Sequence, residues 1–220
     1  MSFESKYQTI SFSFNTSSNT NIDYHPNNTE IKKFKADGSL SEKFKIKCKD
    51  FKDLMNIEIK IFQTKYNTIN LNVSKDSPEI KFYDSHEKYY ELSPFYDVSI
   101  SFAGILFKSS EQLICFAKAI YSNDTSTAFK ILIQTKSYYA HNYAKNIEEC
   151  FDWNNIYYPI LFTANNYKFK NNELKNILIN TNESLLVYNS KFDNKLGIGK
   201  DGKGQNILGI LLMMIRNNLN

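Results

Sequence analysis

Glu111, Cys115 and Lys118 stand at i, i+4 and i+7 in SSEQLICFAKAIY (109–121). If that segment is helical, a carboxylate, a thiol and an ammonium share one face. A carboxylate there can steady a developing cation or activate water. It can equally do no more than favour the helix dipole from the first turn. The chemical reading requires that Glu111 face a pocket with a cation and an aromatic plate close by. Trp153, the single tryptophan, follows Asp152, a natural helix N-cap, and is a core anchor or a stacking plate. Lys168 in NYKFKNN is one lysine among many, and Asp193 in KFDNKLGIG is explained by turn chemistry as it stands. Five of the seven glycines fall in the last 24 residues. They open LGIGKDGKGQNILG (196–209), which runs into an apolar stretch that reads as a helix with Asn206 as its N-cap. A glycine loop feeding a helix N-terminus suits a phosphate, through exposed N–H groups and the dipole. Its spacing matches neither the Walker A pattern nor GxGxxG, so a surface turn before a packed helix is the competing reading.

These residues need a scaffold, and the chain divides near Pro78. Before it, alternation at 9–14, 43–49, 57–62 and 67–73 reads as short strands between Asn/Ser-rich stretches. The alternating lysines there read as the solvated face of a half-buried sheet. Residues 1–78 are thus expected to form a β-rich extension. After Pro78, strands over 81–85 and within 92–107 lead into the helix of 109–121, where Ser109 and Gln112 have capping-box spacing. Helices follow over 127–134, 152–169 and 172–180, then a strand at 184–190, the glycine loop and the last helix. Residues 79–220 are expected to be one compact, mainly helical α+β domain.

The composition narrows the function classes. A chain of 220 residues with 42% hydrophobic and 15% aromatic residues can bury a sizeable core. The formal charge of +4 is carried by dispersed lysines, and Arg216 is the one arginine. That gives mild attraction to phosphates and argues against dedicated nucleic-acid readout through arginine forks. Cys48, Cys115 and Cys150 are far apart, as are His25, His86 and His141, so no metal site and no cofactor are expected. The first residues lack a signal peptide's pattern, and the longest apolar run is too short to span a bilayer. The expectation is a soluble protein of a reducing, cytoplasmic compartment, with no membrane contact.

Taken in order, several segments resemble the NADAR (YbiA-like) family: FYD (82–84), LSPFYD (92–97), FKSSEQLICFAKA (107–119), DW (152–153), KFKNNELKNILINT (168–181) and LLVYNSKFDNKLGIGKDGKGQNILGILLMMIRNNL (185–219). The first 78 residues lie outside the resemblance, and 121–150 match poorly. The family implies a compact, mainly helical α+β fold and cleavage of N-glycosidic bonds. Some members act on phosphoribosyl intermediates of riboflavin synthesis, and others remove ADP-ribose from guanine in DNA. Carried over by motif, Glu111 is the catalytic candidate, joined by Lys168 and Asp193. Trp153, Gly197, Ile198 and Gly199 fall on pocket positions, and Lys118 and Asn206 are added as substrate-binding candidates. Breaking a ribose–nitrogen bond builds oxocarbenium character, which a carboxylate steadies while an acid protonates the departing base. A lysine whose pKa burial lowers can instead attack the opened sugar as an amine. The favoured substrate is ADP-ribose linked to a nucleobase, including ADP-ribosylated DNA; a phosphoribosyl riboflavin intermediate is the alternative. This chain departs from the family at Leu196, Tyr188, Gln112 and Pro94. Leu196 and Tyr188 motivate a rival reading as an ADP-ribose-binding module with weakened catalysis.

Overall fold

The computed structural model describes residues 9–11, 40–66, 68–70 and 77–219. Among them are seven α-helices and three two-stranded pairings. Strand β1 (Thr9–Ser11) pairs antiparallel with β2 (Thr68–Asn70), in line with parts of two expected strands; 12–14 and 71–73 lie outside the described residues.

The region between them corrects the sequence reading. The expected strands at 43–49 and 57–62 are one continuous helix, α1 (Glu42–Lys65). Each alternating stretch is short, whereas Phe44, Cys48, Phe51, Met55, Ile59 and Phe62 keep a three- or four-residue spacing through the whole segment. Ile46 and Ile61, which made the local pattern look alternating, are exposed on the outer side. Ser41 caps the helix, its side chain accepting from the Phe44 N–H. The buried stripe joins the main core: the Phe51 ring packs edge-on against Phe102, Phe107 and Phe116 at 5.2, 5.9 and 4.9 Å. Phe62 meets Phe162 at 5.0 Å.

After Pro78, β3 (Glu79–Phe82) pairs parallel with β6 (Leu185–Tyr188), Glu79 opposite Leu185. A hairpin of β4 (Ile100–Phe102) and β5 (Ile105–Phe107) leads into α2 (Ser110–Tyr121). Ser109 caps α2 by accepting from Gln112 N–H, as its spacing implied. The Gln112 side chain accepts from Lys108 N–H. It also donates to the Ile131 and Gln134 carbonyls, tying α2 to the end of α3 (Thr125–Leu132). Helix α4 (Ser137–Lys145) falls in the poorly matched span and was not expected. Helices α5 (Trp153–Lys168), α6 (Asn172–Ile179) and α7 (Ile207–Leu219) follow the expected order. No described helix is long and apolar enough to cross a membrane.

Asn206 is buried at the start of α7 with φ +52°, a conformation that asparagine tolerates better than most residues. Its amide does not cap the helix. Oδ1 accepts from Tyr188 N–H and Nδ2 donates to the Leu186 carbonyl, locking α7 onto β6. The assignment of Asn206 to substrate binding is therefore corrected: both ends of its amide serve the fold. Next to it, a Cβ on Gly209 would strike the Leu186 carbonyl oxygen, so the helix approaches the strand only with glycine there. Asn206→Ala is expected to lower the unfolding free energy by about 1–3 kcal/mol for each orphaned partner. Asn206→Gly relieves the backbone but not the lost bonds, so urea denaturation should find it destabilised as well.

Candidate active site

The contact of the α2 cap Ser109 with Ser137, the first residue of α4, assembles the site. Ser137 Oγ, at the start of α4, lies 2.7 Å from Ser109 Oγ and 3.3 Å from the Phe95 carbonyl. The first turns of α2 and α4 are thereby held side by side. The Glu111 N–H donates to the Pro94 carbonyl at 2.9 Å, fixing the glutamate's backbone to the LSPFYD segment. The result places His141, one turn into α4, beside Glu111, in the first turn of α2. His141 Nδ1 is 2.7 Å from Glu111 Oε1, and the imidazole rests edge-on against Phe95 at 5.5 Å. Cys115 Sγ, one helical turn further along α2, donates to the same Oε1 at 3.3 Å. Burial and the neighbouring Glu111 carboxylate push the Cys115 thiol well above its ordinary pKa, so it is a protonated donor.

Glu111, Cys115 and His141 form one wall of a cavity of about 250 Å³. Trp153 and Tyr157, stacked obliquely at 5.5 Å, line it, as do Lys118, Lys145 and Lys195. This is the pocket, cation and aromatic plate that the chemical reading of Glu111 required. Lys118 faces it with its ammonium 3.2 Å from Glu149, so an incoming anion competes with a half-exposed carboxylate. Burial, then the carboxylates of Glu111 and Asp193, push the Tyr157 hydroxyl well above its ordinary pKa. The sites read from the sequence therefore divide: Glu111, Lys118 and Trp153 converge, and the others do not line the cavity.

Asp193 is a turn residue. Its Oδ1 accepts from the Lys195 and Leu196 N–H groups at 2.8 Å each. It thereby holds the turn that carries the cavity-lining Lys195, and its charge is felt at the Tyr157 hydroxyl in the cavity and at the Tyr188 hydroxyl outside it. Tyr188 itself is buried between Phe82 and Tyr83, at 5.5 Å from each ring.

The glycine loop is corrected as a phosphate cradle. Ile198 N–H donates to the Tyr188 carbonyl, and Gly199 N–H to the Ser190 and Asp193 carbonyls. At the start of α7, the N–H groups of Ile207 and Leu208 donate to the Lys195 and Leu196 carbonyls. Amides so engaged offer nothing to an anion. A Cβ at Gly197 would meet the Tyr188 carbonyl oxygen at 2.7 Å, and Gly199 sits at φ +67°. Close packing against β6 and one left-handed turn explain these glycines.

Lys168 ends α5 almost fully buried, its ammonium donating to the Ser93 carbonyl at 2.7 Å and lying 5.6 Å from the centre of the Tyr96 ring. It therefore anchors the segment whose next residues, Pro94 and Phe95, touch Glu111 and His141. Burial holds its pKa down to about 7, Glu91 opposing only in part. With an ordinary value of 10.5 in the unfolded chain, the unfolded state binds one more proton between about pH 7 and 10.5. Stability is therefore expected to rise with pH across that window, by on the order of 1.4 kcal/mol per pH unit at most. Raised tyrosine and cysteine values act in the opposite direction above about pH 9. The test is thus the difference between wild type and Lys168→Met in urea denaturation at pH 7 and 9, where the variant should lose the upward contribution.

His141 was read as one of three scattered histidines, and only the unexpected α4 brings it to Glu111. A His four residues after a Ser-led helix start was its one local signal. Cys115 had been placed on the right face, without a partner.

The comparisons with known proteins agree with this architecture. The NADAR domain matches residues 81–220, beginning within β3 and leaving α1 outside. The solution structure of YbiA from E. coli is similar with a TM-score of 0.60 and 25% sequence identity, over 68% of this chain and 89% of that one. A riboflavin biosynthesis protein of Vibrio vulnificus (strain YJ016) is 29% identical over 150 residues, or 64% of this chain. The chain spans only 38% of that relative's length. With a family match that takes in residues 81–220, most of its length, the chain belongs to the NADAR domain family.

Proposed function

We propose that the protein is an N-glycosidase that hydrolyses a ribosyl–nitrogen bond, with Glu111 facing the anomeric carbon. The observation that carries this reading is the convergence of Glu111, an aromatic pair and three lysines on one cavity. In the reaction the glycosidic C–N bond breaks, the electron pair leaves with the base, and a proton must reach that base. Water supplies the new C–O bond. Glu111 steadies the oxocarbenium charge or takes the proton of the attacking water. Trp153 and Tyr157 offer faces for a flat leaving base. Lys118 is suited to a phosphate on the sugar, with Lys145 and Lys195 adding positive charge. Lys168 and Asp193 then act as positioning residues, through the Ser93–Pro94 segment and the 193–196 turn.

The size of the cavity bears on the substrate. At about 250 Å³ it is smaller than the roughly 300–1,000 Å³ that encloses drug-sized ligands. A single phosphoribosyl-base unit fits that scale, and the riboflavin biosynthesis name of the Vibrio vulnificus relative favours the same class. ADP-ribose linked to a nucleobase presents the same bond and is the second substrate class; its outer phosphate and adenosine would extend beyond the cavity. Offering a phosphoribosyl riboflavin intermediate, ADP-ribosyl-guanine DNA and NAD side by side, with binding and base release measured together, decides between them. Release of base from the phosphoribosyl substrate is expected. Micromolar binding of ADP-ribose with no turnover of any substrate would instead leave a binding module.

A further inference from the structure

We infer that Glu111, Cys115 and His141 form a site for a borderline-soft divalent cation, Zn²⁺, whose binding shuts off the hydrolase. The ligation stands on geometry alone, and only the inhibition rests on the function proposed above. Glu111 and Cys115 lie one turn apart on one face of α2, and His141 comes from α4, which the Ser109–Ser137 contact holds alongside. One carboxylate oxygen, one thiol sulfur and one ring nitrogen lie within 4.8 Å of one another. Oε1 is the hub, 2.7 Å from Nδ1 and 3.3 Å from Sγ.

Zinc bonds of about 2.0–2.2 Å to oxygen and nitrogen and about 2.3 Å to sulfur leave tetrahedral donors roughly 3–4 Å apart. The three atoms thus need shifts of about an ångström to admit an ion where hydrogen-bonding protons now lie. The donor set selects against magnesium and calcium, which take oxygen ligands, and suits zinc or its cobalt substitute. Charge supports the same choice. Zn²⁺, a carboxylate, a thiolate and a neutral imidazole sum to zero, so the occupied site leaves no net charge in a largely buried wall. Binding releases the thiol proton to solvent, and the imidazole frees Nδ1 for the ion by holding its one proton on Nε2. The wall faces the cavity, so three protein ligands and one open position result, and the ion takes up the carboxylate that hydrolysis needs.

The test uses the full chain and cobalt as a spectroscopic probe, with no substrate present. One equivalent of Co²⁺ should give tetrahedral visible bands and a thiolate-to-cobalt charge-transfer band, displaced by one equivalent of Zn²⁺. Cys115→Ser should remove the charge-transfer band, whereas Cys48→Ser and Cys150→Ser should keep it. His141→Gln should weaken zinc by at least about 100-fold, the upper end of what losing an outer-shell partner alone does. Zinc should inhibit base release from whichever ribosyl substrate turns over, and a chelator should restore it. Absence of the band, its survival in Cys115→Ser, or activation by zinc would overturn the inference. Absence of turnover on every substrate would sink the hydrolase reading and leave the cobalt result intact.

Discussion

Glu111→Gln is expected to lower kcat/KM for release of the base by roughly 10²–10⁴-fold, the range that one acid–base group supplies. The substitution keeps the shape of the side chain and its place in the first turn of α2. It removes the negative charge that would face the anomeric carbon, and the basicity that would take water's proton. Substrate affinity should change far less than turnover, because the aromatic pair and the lysines are untouched. An effect confined to KM would show that Glu111 merely binds. The fold offers an internal control. Ser109 still caps α2 and the Glu111 backbone N–H still reaches the Pro94 carbonyl, so the variant should keep its thermal transition within a few degrees. Wild-type turnover in a folded Glu111→Gln protein would end the assignment.

What the sequence disclosed about this site depended on the range over which each signal acts. Helix α2 was legible because its cap, its apolar spacing and its chemical face all lie within a dozen residues. Helices α5, α6 and α7 and the strand β6 were legible from apolar spacing of similarly short range, although neither Asp152 nor Asn206 caps its helix through its side chain. Helix α1 was misread because alternating lysines imitate a strand over six or seven residues, and only the whole 24-residue stripe shows the helical period. The partners of Glu111 were less accessible still. His141 is 30 positions away, and its proximity depends on a hydroxyl–hydroxyl contact between the cap of α2 and the first residue of α4. Glycine and asparagine misled in a different way. A glycine loop before a helix has the same composition whether its amides are open to a phosphate or closed on its own carbonyls. Only the hydrogen-bond partners of Ile198, Gly199, Ile207 and Leu208 distinguish the two.

The boundary expected near residue 78 leads to the second large effect. A chain beginning at residue 79 is expected to lose its cooperative fold, although the NADAR match starts only at residue 81. Helix α1 contributes Phe44, Phe51, Met55 and Phe62 to the core, each 0% or 1% exposed. Fully burying a side chain of this kind is worth about 1.5–3 kcal/mol, so four together supply on the order of 6–12 kcal/mol. That is comparable with the whole stability of an ordinary domain, about 5–15 kcal/mol. Removing α1 would also bare Phe107, Phe116 and Phe129, whose rings pack against Phe44 or Phe51, and so create an apolar patch across β5, α2 and α3. The shortened chain should therefore aggregate or show no sharp thermal transition. A separate peptide of residues 40–66 should restore solubility if added during refolding. Phe51→Ala in the full chain gives an independent reading, with an expected cost of about 3–5 kcal/mol in urea denaturation. A soluble 79–220 chain that melts cooperatively at the full-length temperature would make α1 a dispensable cover, because the energy assigned to its buried stripe would have to come from elsewhere.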